Sequence, residues 1–268
     1  MSRIKENIEI IRPLGIGGTA TVYEGYDYWA KERIAIKALY KSVFRDSYIR
    51  KKFKQEANIY LNLEHPNIVR LMDFVSTENT DYLIMEFVEG MTLQNYVNNV
   101  SGPMADERLL SVFVQVLAGL AHAHNSRIYH LDIKPDNIMI TNTGKVKILD
   151  FGISTIKDAN DGGNRMMGTP MFMSPEQVDK VPVSRFSDIY SLGVTLFYAV
   201  TARMPYNQID IDQLFDKIKN EPLPRVVEFY PYANRALQGI IDKATEKSIE
   251  DRYQTCEEFA YELSNELN

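Results

Sequence analysis

Two short polar motifs near the middle of the chain constrain its fold most strongly. The first spans residues 130–137, with the sequence His-Leu-Asp-Ile-Lys-Pro-Asp-Asn, and the second is Asp150-Phe151-Gly152. Between them, two strand-like runs flank the segment 141–145, which is rich in turn-forming residues. A hairpin with that turn would bring the chain back beside the end of the first motif. The sequence therefore predicts that Asn137 and Asp150 meet in space.

The side chains of these motifs fit one kind of chemistry. Asn137 and Asp150 would together offer oxygen ligands of the kind that Mg²⁺ prefers. Asp132 and Lys134 add a carboxylate and an ammonium group on the same short loop. Such a set holds Mg²⁺ and ATP and orients a hydroxyl for phosphoryl transfer. The two motifs therefore predict an ATP-dependent phosphotransferase.

Length, charge and cysteine content restrict the class of protein. The 268 residues suffice for one large domain or for two lobes with a shared cleft. The net charge of −6 argues against an electrostatic nucleic-acid binder. Cys256 is the only cysteine, so no intramolecular disulfide can form, and a reducing, cytoplasmic setting is predicted.

The distribution of apolar residues predicts neither a secretory signal nor a membrane segment within the chain. Arg3 and Lys5 are followed by Glu6 and Glu9, where a signal peptide would have an apolar core. The longest apolar run, 192–202, contains a glycine and is too short to span a bilayer. We expect this run to form a buried helix.

A glycine-rich segment lies between two strand-like runs near the amino terminus. Gly15, Gly17 and Gly18 would let the backbone approach phosphates closely and turn its N–H groups toward them. Alone, the segment fits a plain glycine-rich hairpin turn. Support for a nucleotide site comes from the strand-like alternation Ala35-Ile36-Lys37, which ends in a cation.

In this order and at this spacing, the motifs resemble those of the protein kinases over residues 8–263. Two further stretches carry the resemblance, Met173-Ser174-Pro175-Glu176 and the start of a helix at 188–193. Small-molecule kinases of the aminoglycoside type share the catalytic loop but generally lack these stretches, so protein substrates are favoured. Lys134 together with Thr169 is similar to the serine/threonine branch.

The runs 53–57 and 65–69 look similar to those of bacterial kinases of the eukaryotic-like, Hanks type. The resemblance therefore implies the catalytic domain of a serine/threonine protein kinase, with an α+β bilobal fold. Residues 1–86 are expected to form a small, β-rich N-lobe with one main helix. Residues 87–91 are expected to form the hinge, and residues 92–268 a larger, mostly helical C-lobe.

The resemblance assigns the phosphate end of the nucleotide to the glycine loop and Lys37. It departs from the usual pattern at Ala20, which stands where a third glycine is expected. Lys37 is implied to contact the α- and β-phosphates and to pair with Glu56 on the next helix. Apolar residues at helical spacing over 49–60 predict that helix, and Glu56 lies beside their stripe.

The adenine end is assigned by the same resemblance to the hinge. The Glu86 carbonyl and the Val88 N–H would bind the edge of the base, with Met85 at the back of the pocket. Three apolar residues, each of which also fits a plain core position, would sandwich the purine ring: Val22, Ala35 and Met139. The implied ATP-binding residues are Leu14, Gly15, Gly17, Gly18, Val22, Ala35, Lys37, Met85, Glu86, Val88 and Met139.

The resemblance also assigns roles at the reacting end of the nucleotide. Asp132 would accept a hydrogen bond from the substrate Ser/Thr hydroxyl and take its proton late. Lys134 would neutralise charge on the transferred phosphoryl group, and Thr169 would help to fix both side chains. Asn137 and Asp150 would hold Mg²⁺. Most of the rate gain is then expected from positioning and electrostatics.

Three residues of the carboxyl-terminal half have structural roles by resemblance. Glu176 is expected to pair with Arg252, and a buried bidentate ion pair of this kind would be hard to break. Asp188 is expected to accept hydrogen bonds from the backbone of the catalytic loop.

Leu131 is a departure with mechanistic consequences. It occupies the position of the arginine that, in kinases switched on by activation-loop phosphorylation, pairs with the phosphate. From Ile156 to Gly168 the chain has no serine, threonine or tyrosine. Both features predict a kinase that does not need loop phosphorylation. The alternative is that Leu131 merely packs locally and that control is exerted elsewhere.

Two other functions remain open from the sequence. A pseudokinase would bind partners without transferring phosphate, but it would be expected to lack one of Lys37, Asp132, Asn137 and Asp150, and all four are present. A small-molecule kinase would phosphorylate a metabolite and no protein. Magnesium-dependent ATP turnover and the nature of the acceptor separate the three functions.

Overall fold

The computed structural model describes residues 3–17, 20–40, 54, 57–58, 60–77, 80–151, 170–206 and 210–267. The chain divides into two compact units. The first contains the described residues up to Glu89 and also Phe151, and the second contains Gly90–Asp150 and the described residues from Pro170 onward. The first boundary between the units, between Glu89 and Gly90, falls within the range 87–91 that the sequence assigns to a hinge.

In the first unit, the described strands form one antiparallel sheet of six strands in the order β1-β2-β3-β4-β6-β5. One face of the sheet is apolar, because Ile34 and Ile36 alternate along β4 and pack with Ile8 and Ile84. Because successive side chains of a strand point to opposite faces, the residues between these isoleucines lie on the other face of the sheet. The strands are β1 (Arg3–Lys5), β2 (Ile8–Ile16), β3 (Ala20–Asp27), β4 (Glu32–Leu39), β5 (Leu71–Ser76) and β6 (Asp81–Glu86).

The helix that the sequence predicts over 49–60 lies mostly outside the described residues. Within it, Lys54, Ala57, Asn58 and Tyr60 are helical, and Ala57 and Tyr60 are buried. These two apolar residues belong to the stripe from which the helix is predicted.

The second unit is mostly helical and has a small sheet of three strands in its described part. Strand β7 (Gly90–Thr92) pairs with β8 (Ile138–Thr141), which pairs with β9 (Val146–Ile148). Residues 90 and 91, which the sequence places in the hinge, are therefore part of a sheet. The described α-helices are α1 (Leu93–Tyr96), α2 (Asp106–Asn125), α3 (Pro175–Val178), α4 (Arg185–Thr201), α5 (Ile211–Asn220), α6 (Val226–Phe229), α7 (Ala236–Ala244) and α8 (Cys256–Leu267).

Helix α4 forms the centre of the second unit. It is buried at every position from Ser187 to Thr201, as the apolar run in this part of the sequence predicts. A Cβ atom on Gly193 would stand 2.7 Å from the Ala244 side chain, so the glycine permits close packing against α7. Among the described residues, no helix is both long and apolar enough to cross a membrane.

A half-buried lysine beside α4 predicts a specific pH dependence of stability. Lys247 Nζ donates to the Ile218 carbonyl at 2.8 Å, and burial lowers the pKa of Lys247 to about 8. An unfolded lysine has a pKa of about 10.4, so between these values the unfolded state binds more protons. We expect the stability lost to this buried charge to be recovered as pH rises from about 8 to about 10.

The substitution Lys247→Met tests this expectation, because methionine keeps the apolar stem and has no charge. The free energy of unfolding should rise relative to the variant between about pH 8 and about pH 10. Urea unfolding of both proteins across this range measures the difference. Parallel curves would contradict the assignment of the low pKa to Lys247.

Candidate active site

One face of the first unit's sheet collects the residues assigned to the nucleotide. The register places Val22 opposite Lys37 and Ala35 opposite Met85, and residues paired in this way share a face of the sheet. Lys37 is only 8% exposed. Lysine is rarely buried unless an anion lies close to its ammonium group, so the position suits a phosphate or a carboxylate.

The glycine loop continues this face at the end of β2. Gly15 lies opposite Val22, and the Gly17 N–H donates to the Ala20 carbonyl at 2.9 Å, which narrows the loop. Among the residues that the structure describes, no atom lies within 4 Å of the point where a Cβ on Gly15 would stand. Leu14 beside it is 43% exposed. The backbone is therefore open to close approach by a ligand, as phosphate binding requires.

The last residue of β6 and the residues that follow it make specific contacts within the first unit. The Glu86 N–H donates to the Arg70 carbonyl at 3.0 Å, and the Arg70 N–H donates to Glu86 Oε1 at 2.8 Å. Arg33 stacks on the Phe87 ring at 3.9 Å and forms an ion pair with Glu89. Phe87 and Glu89 flank Val88 in the sequence, and the resemblance assigns the N–H of Val88 to adenine binding.

Sequence reasoning did not identify Arg33. Its guanidinium also pairs with Glu24 at 2.8 Å, across the hairpin of β3 and β4. Only the strand register could have indicated the pair of Arg33 with Glu24, because the two residues are diagonal neighbours on adjacent strands. That register becomes visible only once the turn at 28–31 is known.

In the second unit, the catalytic loop gathers two polar side chains around the carboxylate of Asp132. Lys134 Nζ lies 3.1 Å from both carboxylate oxygens of Asp132. The Asn137 side-chain nitrogen donates to the Asp132 carbonyl at 2.7 Å and to its Oδ2 at 3.2 Å. Because the amide nitrogen of Asn137 is directed at Asp132, its Oδ1 is the atom of that group suited to bind a cation.

Asp188 on α4 binds the backbone of this loop. Its buried carboxylate accepts the backbone N–H groups of His130 at 2.9 Å and Leu131 at 2.6 Å. It also contacts His124 Nε2 at 2.8 Å, and His124 Nδ1 lies 3.5 Å from Cys256 Sγ. Burial raises the pKa of the Cys256 thiol, and the nearby Asp188 charge raises it further, so the group remains an S–H donor. The three contacts replace the hydration that the buried carboxylate gives up.

The backbone of the loop is strained at Leu131. Its φ of 61° is in the left-handed region, which costs a residue with a side chain about 1–2 kcal/mol. His130 fixes the peptide group between Leu131 and Asp132, because its Nδ1 accepts the Asp132 N–H at 3.2 Å. The His130 ring is itself held by Nε2, which donates to the Leu149 carbonyl at 2.6 Å. These two bonds require the neutral imidazole with the proton on Nε2.

The predicted hairpin is present and joins the two motifs. Ile138 pairs with Ile148, and the Leu149 N–H donates to the Asn137 carbonyl at 2.8 Å. Asp150 follows directly with φ 59°, a left-handed conformation that aspartate tolerates better than most residues. The hairpin therefore holds Asn137 opposite the residue before Asp150.

The remaining assigned residues lie outside the catalytic loop and the nucleotide face of the sheet, or outside the described residues. Met139 lies in β8, paired with Thr92 and Lys147. Glu176 forms the bidentate pair with Arg252, with oxygen–nitrogen distances of 2.9 and 3.0 Å. Burial acts to raise the pKa of Glu176, but the hydrogen bonds and charge of Arg252 outweigh it and hold the pKa below its usual value. The assigned residues Gly18, Glu56 and Thr169 lie outside the described residues, as do Gly152, Ser154, Thr155 and Gly168.

The donor set of the hairpin fits a hard divalent cation. One carboxylate, Asp150, and one amide oxygen, that of Asn137, would be the protein ligands. Mg²⁺ is commonly bound through one or two carboxylates or similar oxygens together with substrate phosphates. On the first unit, the open backbone at Gly15 and the buried Lys37 fit the phosphate end of a nucleotide.

Comparisons with known proteins identify the family of the chain. The family model described as "Protein kinase domain" matches residues 8–262. The chain is 33% identical to a probable serine/threonine-protein kinase PknB of Lactococcus lactis, over 97% of the chain and 42% of that protein. It is 34% identical to the serine/threonine-protein kinase PrkC of Bacillus subtilis, over 97% of the chain and 40% of that protein. The chain thus spans about two fifths of the length of these curated relatives.

A solved structure shows the same fold. The PknI kinase domain of Mycobacterium tuberculosis superimposes with a TM-score of 0.79, covering 97% of this chain and 96% of that domain at 20% identity. The α+β architecture expected from the sequence, with a small β-rich unit followed by a larger helical unit, is thereby confirmed.

Proposed function

The chain belongs to the protein kinase domain family, and from this premise we propose that it transfers the γ-phosphoryl group of ATP to serine and threonine hydroxyls of proteins. The observation that carries the proposal is the grouping of Asp132, Lys134 and Asn137 on a loop whose backbone is held by Asp188. A carboxylate, a cation and a metal-binding amide are thereby ordered before any substrate arrives. Such preorganisation is the main source of catalysis in phosphoryl transfer.

Each group on the loop has a defined task in this proposal. Asp132 accepts the hydrogen bond of the substrate hydroxyl and takes its proton as the oxygen bonds to phosphorus. Lys134 remains near the γ-phosphoryl group and neutralises its developing charge. Asn137 and Asp150 would hold Mg²⁺, which supplies further neutralisation of phosphate charge when bound.

The nucleotide is proposed to lie against the face of the first unit's sheet that bears Lys37. Val22, Ala35 and Met139 would contact the base, Met85 would lie behind it, and the backbone at 86–88 would bind its edge. The loop from Leu14 to Gly18 would cover the phosphates. Glu56 would orient Lys37, and Thr169 would help to fix Asp132.

Replacing Lys37 by methionine tests the phosphate end of this site. Methionine keeps the apolar stem but removes the cation, so we expect kcat/KM for ATP to fall by about 10²-fold. The control is Lys5→Met in the same sheet, where the lysine is exposed and pairs with Asp73. Exposed pairs contribute little, so the control should keep its activity and stability. Equal kinetics for the two variants would contradict the assignment.

The acceptor distinguishes the proposed function from its rivals. The purified protein is incubated with γ-labelled ATP and Mg²⁺, with a generic basic protein and with a metabolite mixture as acceptors. We expect label on protein, recovered as phosphoserine or phosphothreonine, and none without Mg²⁺. Label on a metabolite alone would indicate a small-molecule kinase. Nucleotide binding without turnover would indicate a scaffold.

We also propose that activity does not depend on phosphorylation of the activation loop. Leu131 supports this, because a leucine cannot pair with a phosphate as arginine does. The test compares initial rates before and after treatment with a phosphatase. The two rates are expected to agree, whereas strong activation by phosphate on Ser154, Thr155 or Thr169 would contradict the proposal.

The remaining parts of the proposal concern the setting of the domain. Substrates are proteins with Ser or Thr acceptors, and the acidic net charge of −6 argues against nucleic acid as a partner. We propose a cytoplasmic location, either for this domain alone or as the cytoplasmic kinase domain of a longer protein, because the single cysteine favours a reducing compartment. The lobes are proposed to span residues 1–86 and 92–268, joined by a hinge at 87–91.

A further inference from the structure

The peptide group between Leu131 and Asp132 accepts a hydrogen bond from a side chain that the sequence analysis did not identify. Gln177 on α3 donates its side-chain N–H to the Leu131 carbonyl at 2.9 Å. The other end of the same amide, Oε1, accepts the Ser174 N–H at 3.0 Å and contacts its hydroxyl at 3.3 Å. One side chain therefore caps its own helix and binds the catalytic loop.

This contact acts on the strained part of the loop. Leu131 has a φ of 61°, and such a conformation persists only where the surroundings fix it. Asp188 Oδ1 binds the N–H of Leu131 at 2.6 Å, and Gln177 binds its carbonyl. The two peptide groups that flank the Leu131 Cα atom are therefore fixed by different helices.

The second of these peptide groups leads directly to the proposed proton acceptor. The Leu131 carbonyl, the Asp132 N–H and the Asp132 Cα atom belong to the same planar unit, so fixing the oxygen helps to fix the atom from which the Asp132 side chain leaves the backbone. The Asp132 N–H in turn donates to His130 Nδ1 at 3.2 Å. A rotation of this peptide group would break both hydrogen bonds and move the carboxylate.

We propose that Gln177 is a positioning residue for phosphoryl transfer, which joins the segment after the activation loop to the catalytic loop without a phosphate. The inference rests on the proposed function and deepens it, because it names a contact that makes phosphorylation unnecessary. An arginine in place of Leu131 could join the same two parts only when a phosphate is present. The neutral amide of Gln177 makes its bond in the unmodified chain.

The substitution Gln177→Glu isolates this bond. Glutamate retains an oxygen for the Ser174 N–H and is itself a common partner in this type of helix cap. It has no N–H for the Leu131 carbonyl and places an oxygen against it. We expect kcat to fall about tenfold or more, with KM for ATP unchanged, because the nucleotide residues are not disturbed.

The matched control is Gln213→Glu, which makes the same change of charge at an exposed position on α5. It should leave kcat, KM and thermal stability as in the wild type. Gln177→Asn is a second test, because it retains the amide but is one methylene too short to reach both partners. It should lower kcat as well, and it serves if the glutamate variant does not fold.

Amide hydrogen exchange provides a readout that does not depend on turnover. In Gln177→Glu, exchange at the Leu131 and Asp132 amides should accelerate, while amides in the core of α4 should keep their protection. A folded Gln177→Glu variant with the wild-type kcat would overturn the inference, whether or not its amide exchange changes. If the wild-type protein itself transfers no phosphate, the proposed function is refuted. In that case amide exchange still tests the inference, and unchanged exchange in the variant would overturn it.

Discussion

Replacing Asp132 by asparagine should lower kcat by about 10²–10⁴-fold and leave nucleotide affinity unchanged. Asparagine has the shape of aspartate but cannot take the proton of a substrate hydroxyl. The substitution also removes the anion that Lys134 contacts at 3.1 Å. The bond from Asn137 to the backbone carbonyl of residue 132 is retained, so the loop should keep its conformation.

The measurement is steady-state transfer to a protein substrate, with nucleotide affinity determined separately by titration. Asp136→Asn is the matched control, because Asp136 is an exposed carboxylate on the same loop. It should retain a kcat within about twofold of the wild type. An Asp132→Asn variant that transfers phosphate at the wild-type rate would contradict the role of Asp132 as proton acceptor.

The largest effect on stability is expected at Arg252. Arg252 is 1% exposed, and its guanidinium donates to both carboxylate oxygens of Glu176 and to the carbonyls of Phe186 and Glu246. In Arg252→Met the glutamate would be left as an unpaired buried charge. Removal of one partner from such a pair costs about 3–5 kcal/mol, so the free energy of unfolding should fall by that amount.

Urea unfolding of the wild type and three variants tests this expectation. The double variant Arg252→Met/Glu176→Gln should recover part of the loss, because it no longer buries a charge. Arg203→Met, at an exposed position, should change stability by less than about 0.5 kcal/mol. A loss in Arg252→Met no larger than in this control would show that the ion pair does not stabilise the fold.

The same pair predicts sensitivity to acid. The pKa of Glu176 is held below its usual value, so the stabilisation is fully present above the pKa of an unfolded glutamate. It is lost as pH falls through the lower pKa of the folded state. Arg252→Met should therefore lack this part of the acid transition.

Local patterns were sufficient to predict the parts of the structure that depend on neighbours in sequence. The hairpin between Asn137 and Asp150 follows from two strand-like runs and a turn, and the burial of α4 follows from one apolar run. The fold as a whole followed from motif order. The boundaries near the hinge were less accessible, because β7 forms only by pairing with β8, nearly fifty residues later.

The contacts that sequence reasoning missed are long-range and depend on backbone geometry. Gln177 reaches the catalytic loop across 46 residues of sequence, and no period or spacing indicates that its amide points there. The left-handed conformation of Leu131 is equally invisible, because leucine has no preference for it. Arg33 could have been placed only with the register of β3 and β4 in hand. In each case the tertiary structure selects one of several local options.

The central claim is tested most directly by the initial rate of label transfer from γ-labelled ATP with Mg²⁺, using freshly dephosphorylated wild-type protein and a protein acceptor. The account predicts rapid transfer, acid-stable label on serine or threonine, and no label when Mg²⁺ is chelated. The absence of transfer from wild-type protein that binds the nucleotide would contradict the claim that this loop catalyses phosphorylation unaided.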